Sequence, residues 1–109
     1  MKKLTPILLL AMLPLAASAE IIITKINVLG KVNQPGQFTV NDYVTVIDAI
    51  ALAEGISQSG DIKKIKVRTE GKDGKVTIEL YDLKKVISGE QKNIRLHSGD
   101  LVYVEERVI

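Results

Sequence analysis

Between Thr45 and Gly55 the chain reads Thr-Val-Ile-Asp-Ala-Ile-Ala-Leu-Ala-Glu-Gly, a helix-forming run that is apolar on nearly every side. Thr45 can cap the helix, with Asp48 three residues on as a shorter version of the capping-box partner. Gly55 stands where a C-terminal stop belongs. A helix of this kind is buried on most of its circumference, because any orientation on a surface would wet part of its apolar wall. The rest of the chain must therefore supply a sheet that curls around one main helix, at about residues 45–54.

The flanking segments have the pattern for that. Glu20 to Val28 opens with Ile21, Ile22 and Ile23 and then sets Ile26 and Val28 against Lys25 and Asn27, which predicts a strand. Leu29-Gly30 interrupts it, Lys31-Val32 resumes briefly, and Asn33-Gln34-Pro35-Gly36 is a strong turn signal. Pro35 presets the first central residue of the turn and Gly36 admits positive φ at the second. Gln37 to Val40 then completes a hairpin.

Beyond the helix, Ile65 and Val67 alternate with Lys64, Lys66 and Arg68, the turn Gly71-Lys72-Asp73-Gly74 follows, and Val76, Ile78 and Leu80 alternate with Thr77 and Glu79. That is the clearest hairpin in the chain. Asp82 to Ile87 predicts a short helical turn ended by Ser88-Gly89. Asn93 to His97 and Leu101 to Val104, joined by Ser98-Gly99-Asp100, predict a final strand pair. Strand pairs on either side of one apolar helix point to an α+β fold, a small mixed sheet wrapped around that helix. A β-grasp satisfies this order, whereas a ferredoxin-like fold needs a second full helix that residues 82–87 are too short to form.

The first nineteen residues read differently. Lys2 and Lys3 precede an apolar stretch from Leu4 to Ala17, and Ala17-Ser18-Ala19 is a small-x-small site for cleavage before Glu20. The apolar stretch, about fourteen residues, is short of the roughly 20 that span a bilayer. A signal peptide at 1–19, a single domain at 20–109 and a periplasmic or secreted protein with no transmembrane segment are the expectations. Lys2 and Lys3 are two of the fifteen cationic residues, so the mature chain would balance thirteen Lys and Arg against thirteen Asp and Glu. A nucleic-acid partner is not expected at that balance. Cysteine is absent, so an exported form must rely on its packed core rather than on disulfides.

Several segments together resemble one family. Val28-Leu29-Gly30-Lys31-Val32, Pro35-Gly36 and Thr45-Val46-Ile47-Asp48-Ala49-Ile50 look like the opening of an SLBB domain, a soluble-ligand-binding β-grasp module of polysaccharide export proteins. The similarity continues through Leu52-Ala53-Glu54-Gly55, Ile65-Lys66-Val67-Arg68, Tyr81-Asp82-Leu83, Ile94, Leu96 and Ser98-Gly99-Asp100-Leu101-Val102-Tyr103-Val104. Glu54 replaces the glycine usual at that point of the family's helix stop. The resemblance implies a binding module with polysaccharide or envelope export proteins as its partners. The alternative is a structural adaptor or self-assembly subunit of an envelope secretion complex.

Catalysis has little support in the sequence. His97 is the one histidine, so a multi-histidine metal site or a histidine relay has no further member. No cofactor and no metal are expected, and the chain reads as a binder rather than an enzyme. Two surfaces are candidates for ligands. Lys64, Lys66 and Arg68 share one face at period-two spacing. They form either a solvated row facing Thr77 and Glu79 across the hairpin or a site for an acidic sugar, with Arg68 the best clamp. Asn33, Gln34 and Tyr43 offer amide and aromatic groups suited to sugars. Gly30, Pro35, Gly36, Gly55, Gly99 and Asp100 are expected to shape turns. The Ile-rich strand at 21–28 is expected at a sheet edge, where it could pair with a second copy.

Overall fold

In the computed structural model, which describes residues 21–108, the elements follow in the order β1 (Thr24–Gly30), β2 (Gly36–Val40), β3 (Val44–Thr45), α1 (Val46–Leu52), β4 (Gly60–Glu70), β5 (Val76–Tyr81), α2 (Leu83–Ser88), β6 (Arg95–Leu96) and β7 (Leu101–Glu106). The leader expected at 1–19 lies outside the described residues. Five strands form one mixed sheet in the order β2-β1-β7-β4-β5, and β3 pairs with β6 beside it. Only the central β1–β7 contact of that sheet is parallel, with Asn27 to Gly30 set against Leu101 to Val104. The architecture is α+β, in the β-grasp manner expected.

The sheet sorts its residues by face. On the inner face Val28, Val102 and Val67 form one row across three strands, and Val104, Ile65 and Tyr81 form another. These residues and Ile26 are buried in one cluster with Val46, Ala49, Ile50 and Ala53 at the helix and Val86 of α2. Each fully buried aliphatic side chain contributes about 1.5–3 kcal/mol. Ala51 is exposed, so the sheet covers α1 on one side instead of enclosing it.

Local chemistry closes α1 at both ends. The Thr45 hydroxyl accepts from Asp48 N at 3.3 Å, and an Asp48 carboxylate oxygen accepts from Thr45 N at 3.0 Å, which completes the capping box. At the other end Glu54 N donates to Ala51 O and Gly55 N to Ile50 O, the paired bonds of a Schellman stop. Glu54 occupies the position where glycine is favoured, at φ 61°. A left-handed residue with a Cβ costs about 1–2 kcal/mol, partly offset by the greater unfolded-state freedom of glycine. Glu54→Gly should therefore raise stability by about 0.5–1 kcal/mol, read as a higher urea midpoint at unchanged slope.

Three expectations need correction. Ile21 to Ile23 precede the first strand instead of opening it, because β2 ends at Val40 opposite Thr24 and leaves them no ladder partner. Strand β1 is also no edge: it lies between β2 and β7, so the expected edge pairing has no open strand within residues 24–28 to use. The segments 93–97 and 101–104 are not a strand pair. Strand β6 turns to β3, while β7, with buried Val102 and Val104, inserts between β1 and β4.

A fourth correction is one of register. The β4–β5 connection holds five residues, Gly71 to Lys75, closed by Gly71 N to Lys75 O at 2.8 Å and by Asp73 accepting from Lys75 N at 3.0 Å. A four-residue turn would have set Arg68 against Thr77 and Lys66 against Glu79. The extra residue places Ile78 and Leu80 there, and Glu79 faces Val67. One residue of slip moves a whole strand's side chains to the other face, so Val76, Ile78 and Leu80 line the outer face, 42%, 60% and 55% exposed.

Candidate functional site

The cationic row lies on that outer face. Lys66 sits between Tyr103 and Leu80, and Arg68 between Leu101 and Ile78. Both cations have acidic neighbours: Lys66 Nζ is 3.5 Å from Glu105, and an Arg68 guanidinium nitrogen is 3.6 Å from Glu70. Such exposed pairs contribute little to stability, but they neutralise the row locally. Lys64 falls in the irregular stretch between Gly60 and Ile65, outside the paired register. The row is thus a mixed apolar and charge-balanced surface.

The loop Lys31–Pro35 is tied to the end of the helix. Asn33 N donates to Gly55 O and Gln34 N to Ala53 O, while the Asn33 side-chain amide donates to Glu54 O at 2.7 Å. Asn33 therefore satisfies carbonyls that the helix end leaves open. Gly36 begins β2 opposite Val28, so Pro35-Gly36 leads into the strand. Asp100 is 4% exposed, and its carboxylate accepts from His97 N at 2.9 Å, across the turn that follows β6. Gly99 N donates to Lys25 O.

Tyr43 lies elsewhere, at the entrance to α1. Strand β3 pairs with β6 so that Thr45 stands opposite Arg95. Tyr43, two residues before Thr45, shares its face and lies diagonal to Arg95. The Arg95 guanidinium stacks over the Tyr43 ring at 3.8 Å from its centroid, a cation–π contact of about 0.5–1 kcal/mol at an exposed site. The ring remains 48% exposed. Beside it a shallow groove of about 420 Å³ is lined by Val40, Asp42, Tyr43, Asp48, Ala51 and Leu52 among others.

The groove combines a rigid aromatic face, an aliphatic floor and two carboxylates. Asp42 accepts from Tyr43 N at 2.7 Å, and Asp48 is engaged in the capping box, so both are held in place with lone pairs to spare. That set accepts hydrogen bonds from hydroxyls and stacks a flat apolar ring face. Asn33 and Gln34, grouped with Tyr43 at the level of sequence, dock at the opposite end of α1. Arg95 and Asp42 had no signal in the sequence, since two-residue strands carry no periodicity to place them.

A third feature is Gln91. Its carboxamide donates to Leu80 O at 3.0 Å and accepts from Asp82 N at 2.9 Å. Nearby, burial pushes the Tyr81 phenol above its ordinary value, and the adjacent Glu79 carboxylate raises it further. Among the described residues no helix is long and apolar enough to cross a membrane.

No curated protein matches the chain. The family model described as the SLBB domain matches residues 24–104, from the first residue of β1 to Val104 of β7. That span takes in the sheet up to the last two residues of β7, the two described helices and the Tyr43 groove, and on it the chain belongs to the SLBB domain family.

Proposed function

We propose that this chain is an exported SLBB module that works in the cell envelope by binding polysaccharide or a component of the machinery that makes and exports it, without turnover. The observation that carries the reading is the Tyr43 groove, where an exposed ring braced by Arg95 stands beside two fixed carboxylates. Aromatic faces take the apolar side of a sugar ring, and carboxylates take its hydroxyls. The acidic lining favours neutral over anionic sugars at this groove. Localisation in the periplasm follows from the leader read at residues 1–19.

The test is calorimetric titration of the purified protein with neutral and acidic polysaccharides. Neutral glycans should bind, and Tyr43→Ala should weaken them by about tenfold or more, the value of roughly 1.4 kcal/mol of stacking. Lys66→Ala should leave binding unchanged. Absence of glycan binding, together with no copurifying envelope protein, defeats the reading. The adaptor alternative is favoured by one observation, the exposed apolar row of β5.

A further inference from the structure

The sheet ends at β2 on one side and at β5 on the other, and β5 has β4 as its one neighbour among the described residues. Its backbone is polarised by register. The Gly71 N to Lys75 O bond sets the β4–β5 ladder on odd-numbered residues, so the N–H and C=O groups of Val76, Ile78 and Leu80 face away from β4. Gln91 agrees with this assignment, for its carboxamide meets Leu80 O and Asp82 N, the next groups in the same outward series. A side-chain amide is a single peptide unit in chemical terms, and here it stands where a sixth strand would continue the sheet. It covers one end of the edge and leaves Val76 to Glu79 open. No proline interrupts that stretch, and edge strands commonly carry one as protection.

We propose that β5 pairs antiparallel with β5 of a second copy, about a twofold axis through Ile78, so that two sheets become one. The sequence of the strand is self-complementary in this register. Ile78 faces its own copy, Val76 faces Leu80 of the other chain, and Thr77 faces Glu79, so one face is an unbroken apolar row and no like charges meet. Centring the axis on Glu79 would oppose two carboxylates, which is unfavourable. Centring it on Thr77 would leave Leu80 opposite the Gly74 turn. The outer face argues for the same partner: Leu80 and Ile78 continue the rows of Tyr103 and Leu101 to the sheet edge, where they stop half exposed. A second copy supplies residues that carry each row onward. The interface is distinct from the Tyr43 groove, so it stands whether or not that groove takes sugar.

Sedimentation velocity on the purified protein over a wide concentration range tests the pairing. The wild type should show a concentration-dependent dimer. Ile78→Lys, which sets two ammonium groups opposite each other on the axis, should weaken it at least about tenfold with the monomer's melting temperature retained. Because the chain has no cysteine of its own, register can be read by oxidation. Ile78→Cys should form a disulfide-linked dimer, since directly opposed residues lie within disulfide reach, and Thr77→Cys alone should not. A strict monomer at every concentration, a dimer indifferent to Ile78→Lys, or cross-linking of Thr77→Cys as readily as Ile78→Cys would each overturn the proposal.

Discussion

Gly30→Ala should remove a large share of the protein's folding free energy, on the order of 3–5 kcal/mol from a total of about 5–15. Gly30 ends β1 at φ 87° and pairs with Val104 of β7. A methyl group built there would lie 2.2 Å from Val104 O and 2.9 Å from Val104 N. Both obstacles are backbone, so no rotamer change relieves them. The strands would have to separate at the point where Lys31 N also donates to Val104 O at 2.9 Å. The left-handed backbone adds its own cost for any residue with a Cβ. Urea unfolding should show a sharply lowered midpoint, whereas Leu29→Ala, one residue earlier and on the exposed outer face, should change stability by less than about 1 kcal/mol.

A pair of isoleucines measures the register of the second hairpin. Ile65→Ala should destabilise the fold by about 2–5 kcal/mol, because Ile65 is fully buried between Val104 and Tyr81. In dilute solution, Ile78→Ala on the neighbouring strand should cost less than about 1 kcal/mol, because that side chain is 60% exposed beside Arg68. With a four-residue turn Ile78 would have stood opposite buried Val67, and the two substitutions would cost alike. Parallel thermal melts of the two variants therefore report on Lys75, the fifth residue of the loop.

The elements of this fold were legible in its sequence wherever a pattern was long or a cap specific. The Thr45–Asp48 box, the apolar body of α1 and the alternation of β4 and β5 all lie where periodicity and capping chemistry put them. Pairing was less legible, because alternation reports which residues share a face and leaves the partner strand open. Leu101 to Val104 reads equally well as half of a hairpin or as a central strand. What decides it is the burial available between β1 and β4, a property of the assembled sheet. The hairpin register escaped for a smaller reason: Lys75 can close a turn or begin a strand, and the Asp73 side chain chooses the first. Of the candidate site residues, Tyr43 was legible as an exposed aromatic, but Arg95, about fifty residues away in sequence, becomes its neighbour only through two-residue strands.

The parallel contact between β1 and β7 also governs when the protein can fold. The strand that carries Val102 and Val104 into the middle of the sheet is the last of the described elements, and its partner is the first of them. Until Leu101 to Glu106 are available, β1 and β4 have no neighbour in common, and the two hairpins remain separate, each too small to hold its shape in water. The two hairpins therefore stay uncommitted until those residues are made, and closure must await contacts of long sequence separation. On the export proposed above, such an order of events would keep the chain threadable until it has arrived.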